Sequence, residues 1–226
     1  MVESPSAPPG RQAGVKAVLA ALVAGCAVAI AGCSGAGAPI PAAAATPAAD
    51  GNDVKLAAGL LTVADLPLGF QSQDGAGAAA ALGCAGIDGV YLPAGSSAHA
   101  TASFAHSLSA AFINETVTLR PGGAAAAALD RFGAAATDCS RFSGPNGTRY
   151  TVTPVSLPGY GDGSAAVQVR SGLAEGREVE LAAVRVGDVV VAVAAAGTGD
   201  GDGALARTVL DRALAKLSRA GVTTGP

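Results

Sequence analysis

Two histidines, His99 and His106, are the side chains best suited to proton transfer near neutral pH. They lie seven positions apart in a serine- and alanine-rich run, residues 95–111. Ser96 or Ser97 beside His99 could form part of a serine–histidine–aspartate site. However, the chain has no Gly-x-Ser-x-Gly sequence of the kind that exposes a nucleophilic serine. We therefore predict no catalytic residues and interpret both histidines as surface or strand residues.

A second candidate for chemistry is the segment 199–203, which alternates glycine with Asp200 and Asp202. Calcium-binding loops begin in this way, but they need a glycine at the sixth position and a glutamate at the twelfth. Leu205 and Asp211 occupy those positions here. The sequence therefore predicts no metal and no cofactor, and the segment is interpreted as a loop before the last helix.

The N-terminus has the three zones of a secretory signal peptide. Residues 1–16 are polar and contain two positive charges, and residues 17–32 contain no charge. The apolar zone, about 16 residues, is too short to span a bilayer comfortably as a permanent helix. We predict that residues 1–32 are a signal peptide.

Residues 30–33, Ile-Ala-Gly-Cys, resemble a lipobox, the tetrapeptide at which bacterial lipoproteins are lipidated and cleaved. The resemblance implies a diacylglyceryl group and palmitate on Cys33, which would hold the protein on the outer face of the cell membrane. Two or three acyl chains are enough for stable anchoring. Residues 23–26 fit the same pattern, but cleavage before Cys26 would leave an apolar N-terminus, so Cys33 is preferred. The other alternative is a plain secreted protein with a buried free cysteine.

Behind the anchor, residues 33–53 consist mainly of alanine, glycine and proline. Such a segment buries too little apolar surface to fold, so it is interpreted as a tether that carries the acylated cysteine. Residues 54–221 are then a single extracytoplasmic domain by length.

The charge of the exported part argues against binding to nucleic acids and to anionic lipid surfaces. Removing Arg11, Lys16 and Glu3 from the 14 basic and 17 acidic residues leaves 12 and 16, a formal charge of −4. Nucleic acids and anionic lipids both require a basic surface. We therefore expect no nucleic-acid partner, and contact with the membrane through the lipid anchor alone.

Of the four cysteines in the chain, Cys84 and Cys139 remain after cleavage and acylation. Two thiols in one domain outside the membrane usually pair. A Cys84–Cys139 disulfide is predicted, and two unpaired buried thiols are the alternative.

Two helices are indicated by apolar periodicity. In residues 124–140, after Pro121-Gly122-Gly123, the apolar face comprises Leu129, Phe132, Ala136 and Cys139. The last helix spans residues 203–219, and its apolar face is formed by Leu205, Val209, Ala213 and Leu217, with Leu210 and Leu214 beside them. Asp202 is its expected N-cap and Gly221 its expected C-cap.

Strands account for much of the remaining domain. They are expected at residues 111–119, 149–155, 165–170, 178–186 and 189–195. Gly187-Asp188 is a typical hairpin turn of type I′ or II′. Glu175, Glu178 and Glu180 are interpreted as a strand entry, with Glu178 and Glu180 on the solvent face. The series favours an α+β fold, an antiparallel β-sheet packed against two main helices.

Residues 60–67 (LLTVADLP) resemble the opening of many actinobacterial envelope lipoproteins. Three further segments resemble the PknH-like extracellular sensor domain: residues 112–117 (FINETV, before an alanine-rich helix that ends at Cys139), 157–165 (LPGYGDGSA) and 184–190 (VRVGDVV). The resemblance implies an antiparallel sheet with flanking helices and a cleft, and ligand sensing outside the cell. This chain departs from the pattern because it can form one disulfide where those domains have two. It also shows no kinase domain or transmembrane helix, so a signal would pass to a separate partner.

These observations predict a membrane-anchored lipoprotein with a non-enzymatic extracytoplasmic domain that senses or binds a ligand. Its partners would be a small envelope molecule or an envelope protein. No ligand-contacting residues can be assigned from the sequence. The alternative is an envelope scaffold or protein-interaction lipoprotein without a small-molecule ligand.

Overall fold

Eight strands form one antiparallel sheet in the part of the chain that the computed structural model describes, residues 51–73, 81–109, 111–172, 178–197 and 203–222. The strands are β1 (Phe70–Ser72), β2 (Ala98–His106), β3 (Phe112–Leu119), β4 (Arg141–Ser143), β5 (Arg149–Val155), β6 (Gly163–Ser171), β7 (Glu178–Val186) and β8 (Val189–Ala196). The helices are α1 (Gly51–Gly59), a 3-10 turn (Val63–Asp65), α2 (Ala85–Tyr91), α3 (Ala124–Asp138) and α4 (Ala204–Arg219). The predicted α+β class with an antiparallel sheet is confirmed.

The strand order is β1-β2-β3-β8-β7-β6-β5-β4, with β1 and β4 at the two edges of the sheet. The chain builds two meanders, β1 to β3 and β4 to β8, and joins them where β3 pairs with β8. That pairing runs from Phe112 opposite Ala196 to Leu119 opposite Val189. α3 lies between the two meanders in sequence, and it packs on β5, β6, β7 and β8.

β8 is the innermost strand and is buried along its whole length. Its side chains alternate between two cores, as the pleat of a strand requires. Val191 and Val193 lie in the core beneath α1 and α4, whereas Val190 and Ala192 lie in the core beneath α2 and α3. An unbroken apolar run is the sequence of a strand covered on both faces, so the helices form a layer on each side of the sheet.

The two main helices lie on opposite faces. α4 buries Ala206, Val209, Leu210, Ala213 and Leu217 on one face, and α3 buries Ala125, Ala128, Leu129, Phe132 and Ala135 on the other. Both helices were predicted, with ends within two residues of those observed.

The ends of α4 follow local backbone rules. Gly203 is its N-cap, with a positive φ of 68°, and the predicted cap Asp202 lies outside the described residues. At the other end Gly221 has a φ of 70°. Its N–H donates to the Ser218 carbonyl and the Val222 N–H to the Leu217 carbonyl, the pattern of a Schellman motif. Gly221 therefore ends the helix, as predicted.

The predicted β7–β8 hairpin is also confirmed. The two strands are connected by Gly187 and Asp188, and Gly187 has a φ of 60° whereas Asp188 has no positive φ. A positive φ at the first position alone fits a type II′ turn and excludes type I′.

One prediction about this hairpin was wrong. Glu180 does not face solvent: it is buried, and its carboxylate lies so close to Gly203 that a Cβ there would collide with it. α4 begins directly over this position and covers the face of β7 that the alternation had assigned to water. The positive end of the helix dipole favours a carboxylate at such a place.

Several elements were not predicted: α1, the 3-10 turn, β1, α2, β2 and β4. α1 begins at Gly51, so the last residues of the stretch interpreted as a tether, 51–53, belong to a helix. No helix in the described ranges is long and apolar enough to cross a membrane.

Cys84 and Cys139 form the predicted disulfide, with their Cα atoms 6.0 Å apart. Cys84 precedes α2 and Cys139 follows α3, so the bond joins the two helices that share one face of the sheet. α2 also depends on Asp88, whose carboxylate accepts hydrogen bonds from the N–H groups of Leu82 and Gly83.

We expect the double substitution Cys84→Ser and Cys139→Ser to lower the free energy of unfolding by roughly 4 kcal/mol, because the bond closes a long loop in the unfolded chain. Denaturant unfolding of the purified protein measures this change. Wild-type protein in reductant is the matched control and should lose the same amount. An unchanged unfolding midpoint in both would contradict the prediction.

Candidate functional site

The most unusual polar group in the described residues is Glu115, in the middle of β3. Its side chain is 0% exposed. Ala102 of β2 and Val193 of β8 are its neighbours across the sheet, and all three face the core under α1 and α4. A glutamate is almost never fully buried without a partner, so this position requires an explanation.

The carboxylate of Glu115 has one hydrogen bond among the described residues. Oε2 accepts from the backbone N–H of Leu61, at 2.7 Å. Oε1 is equally buried and has no protein donor in the ranges that the structure describes. Burial of an incompletely bonded carboxylate is costly, and the cost is greatest for its charged form.

The proton affinity of Glu115 follows from this environment. Burial raises the pKa of Glu115 to about 7. The negative charge of Asp65 adds to this rise, whereas the hydrogen bond from the Leu61 N–H and the positive charge of Lys216 act to lower the pKa. At neutral pH the group is therefore present in both its charged and its neutral form.

The segment above Glu115 is held to α4 by a surface ion pair. Lys216 donates to Asp65 at 2.5 Å and, more weakly, to the Thr62 hydroxyl at 3.4 Å. Asp65 also accepts from the Thr62 N–H and hydroxyl, each at 2.8 Å, which closes the 3-10 turn. Arg212, one turn before Lys216 on α4, donates to the Asp65 carbonyl.

Asp65 has a pKa opposite in direction to that of Glu115. Burial acts to raise it, but the hydrogen bonds from Lys216 and from the Thr62 N–H and hydroxyl outweigh burial and hold the pKa at about 2. Asp65 therefore remains charged throughout the range in which Glu115 titrates, and the ion pair with Lys216 persists.

These contacts bring together two of the four segments singled out in the sequence for their resemblance to known proteins. Residues 60–67 supply Leu61, Thr62 and Asp65, and residues 112–117 supply Glu115. The Leu61–Glu115 hydrogen bond is the contact that joins them. Neither segment is near the other in sequence, so their meeting is a property of the fold.

The other two of those four segments also meet. In residues 157–165, Asp162 accepts from the Gly187 N–H through its carboxylate and from Arg185 through its carbonyl, at 2.6 and 3.0 Å. Gly161 has a φ of 53° and lies directly against the Arg185 carbonyl, where a side chain would collide. This second cluster fixes the loop before β6 on the β7–β8 turn and contains no buried ionisable group among its described contacts.

The residues considered for catalysis are not assembled into a triad. Ser96 and Ser97 donate their hydroxyls to the carbonyl oxygens of Pro93 and Leu119. His99 and His106 lie at opposite ends of β2, roughly 24 Å apart at the usual strand rise. His106 packs edge-on against Phe70, and its Nδ1 accepts from the Leu108 N–H.

The acidic residues of the calcium-loop comparison and of the β7 entry are dispersed or fall outside the described residues. Asp200, Asp202 and Glu175 lie outside the described residues. Glu178 pairs with Arg170 and accepts a hydrogen bond from Gln168 at 2.9 Å. Among the described residues no group of three histidine, cysteine or acidic side chains is arranged to hold a metal ion.

Glu115 was not identified as a candidate from the sequence, where it lies within residues 112–117. A usable signal was present. In a strand of period two, Glu115 belongs to the same row as Ile113, Val117 and Leu119, so an acid interrupts the row that must face the core.

Comparison with known proteins places this fold. No protein-family model and no curated protein matches the chain. The crystal structure of the extracellular domain of PknH from Mycobacterium tuberculosis has a TM-score of 0.55 with this chain and 17% sequence identity. The match covers 75% of this chain and 96% of that domain. The chain therefore has the fold of the PknH extracellular domain. CalU16 from Micromonospora echinospora was also found, but its TM-score of 0.25 is too low to support any argument.

We expect Asp65→Asn to lower the free energy of unfolding by about 1 kcal/mol at neutral pH, a figure reduced for the partial exposure of the ion pair. The folded pKa of Asp65 lies below its usual value of 3.8, so its contribution is present above pH 4 and is lost as the pH falls towards 2. Denaturant unfolding of wild type and variant at pH 7, 4 and 2.5 tests this. Asp130→Asn, on the exposed face of α3, is the control. A difference between wild type and Asp65→Asn that stays constant over this range would contradict it.

Proposed function

We propose that the protein is a membrane-anchored lipoprotein whose folded part is a non-enzymatic extracytoplasmic domain that senses or binds a ligand. The observation that carries this proposal is the PknH-like fold, because the match spans 96% of a domain described as extracellular. The disulfide supports the same compartment, since such bonds persist in oxidising surroundings.

The anchor part of the proposal is supported by the N-terminal sequence. A charged start, an apolar zone and the lipobox-like residues 30–33 occur in the order that export and lipidation require. Attachment at Cys33 would leave residues 34–50 between the lipid and α1. Their alanine, glycine and proline content fits the tether expected from the sequence.

We expect Cys33→Ser to release the protein from the membrane, because it removes the sulfur that would carry the acyl chains. Cys26→Ser is the matched control and should leave the protein membrane-bound and labelled. Membrane fractionation, with metabolic labelling by an alkyne fatty acid, measures both. Retention of the label in Cys33→Ser and its loss in Cys26→Ser would transfer the anchor to Cys26. No label in wild type would remove the lipoprotein proposal.

The absence of enzymatic activity is likewise part of the proposal. It is supported by the engagement of Ser96 and Ser97 with backbone carbonyls and by the separation of His99 from His106 along β2. The buried carboxylate of Glu115 has no approach for a substrate, since its side chain has no exposed surface.

Ligand binding is tested by native mass spectrometry of the protein purified in mild detergent from its own envelope. We expect additional mass on the folded protein, beyond the lipid anchor, which disappears on denaturation and identifies the class of ligand. Protein stripped of that ligand by unfolding and refolding is the control and should show the anchored mass alone. Identical masses before and after unfolding would contradict the small-ligand proposal.

One observation favours the alternative, a scaffold or protein-interaction lipoprotein. Leu68 and Leu108 are 97% and 91% exposed. They flank the end of the β1–β2 pairing, where the Ser107 N–H donates to the Gly69 carbonyl. A protein partner could cover both leucines, and a domain without bound mass would give this alternative priority.

A further inference from the structure

The environment of Glu115 is unfavourable to a charged carboxylate. Its carboxylate is enclosed by the sheet below and by residues 60–67 above, and these residues contribute one N–H donor. No cation touches the carboxylate among the described residues: the Lys216 ammonium group is already bonded to Asp65 and Thr62. A carboxylate in this position is not neutralised by a partner.

We propose that Glu115 is a proton-binding site through which the pH outside the membrane determines how firmly residues 60–67 are held on the sheet. The ligand of this site is the proton that binds to the Glu115 carboxylate. The pH response belongs to the chain itself, and only its meaning as a signal rests on the proposed sensing function.

The charged groups around Glu115 are few and come from two elements. The 3-10 turn contributes Asp65 and α4 contributes Lys216, and these two form an ion pair whose charges largely cancel. The neighbouring strands contribute Ala102 and Val193, and α1 contributes Leu56 to the same core. Because Asp65 stays charged at any pH above about 4, Glu115 is the group in this cluster that changes charge near neutrality.

The direction of the effect follows from proton linkage. The folded pKa of Glu115, about 7, is above its usual value of 4.5, so the folded state binds more protons than the opened state between these values. The stability contributed by this site is fully present below about pH 4.5 and is lost as the pH rises through 7. An acidic exterior therefore tightens the closed state, and a neutral or alkaline exterior loosens it.

Leu61 provides a direct readout of this opening. Its amide donates to Glu115 in the closed state and reaches solvent when residues 60–67 lift from the sheet. With these two pKa values, the equilibrium between open and closed states should shift by about 30-fold between pH 5.5 and pH 8. Movement of this segment would change the surface next to α1, the element that follows the proposed tether.

The experiment is hydrogen–deuterium exchange of the full protein in detergent, followed by mass spectrometry of the peptide covering residues 60–67. Exchange rates at pH 5.5, 7 and 8 are corrected for the intrinsic pH dependence of amide exchange. Wild type and the control Asp130→Asn should lose about 30-fold in protection over this range. Glu115→Gln, which keeps the shape of the protonated side chain, should show no pH dependence.

Two outcomes would overturn the inference. One is pH-independent protection in wild type, and the other is an unchanged pH dependence in Glu115→Gln, which would assign the response to another group. If that variant does not fold, the carboxyl carbon of Glu115 is titrated in wild type by carbon-13 NMR, where a midpoint near 4.5 refutes the site and one near 7 supports it. Native mass spectrometry for a small ligand is independent of all these results, so the inference and the proposed function can fail separately.

Discussion

The pairing of β3 with β8 is the contact on which the rest of the domain depends. It joins two meanders that the chain builds separately, and it runs the full length of both strands. The two strands are distant in sequence, so their pairing closes a large loop and must be supported by burial on both faces. α4 supplies that burial on one side and α3 with α2 on the other, which explains why β8 consists of valine and alanine alone.

The same arrangement explains why an acid on β3 has such a distinct chemistry. A glutamate at the edge of the sheet would reach water, whereas Glu115 lies between two paired strands and below a covering segment. The energetic conflict is local, since among the described residues one backbone donor bonds one carboxylate oxygen and the other oxygen has none. Burial of Glu115 is compatible with its neutral form and opposes its charged form, so a group that titrates near neutrality lies between buried strands.

The parts predicted correctly from the sequence are those in which one residue pattern decides the structure. The apolar stripes of α3 and α4, the unbroken run of β8 and the Gly187-Asp188 turn each leave a single solution. The pairing of Cys84 with Cys139 followed from the compartment and the number of cysteines.

The missed elements lack such patterns. In β2, alanine alternates with polar residues, so the difference in hydrophobicity between its two faces is small. This segment forms a strand because it pairs with β3 along its length. α2 contains two glycines and depends on the disulfide and on the Asp88 carboxylate. The assignment of Glu180 to solvent failed for a related reason. The alternation of polar and apolar residues in β7 shows which side chains share a face of the sheet, but it does not show which helix covers that face. The ionisation of Glu115 needed the position of Leu61, which no local pattern contains.

The Cys84–Cys139 disulfide stabilises one face of the sheet only. It connects α2 to α3 on one face of the sheet, whereas α1, the 3-10 turn and α4 on the opposite face are held by noncovalent contacts. The chain enters the described domain at Gly51, on that second face. If the chain is anchored at Cys33 as proposed, a pulling force on the anchor enters the domain at α1, on the face that contains Glu115 and away from the disulfide.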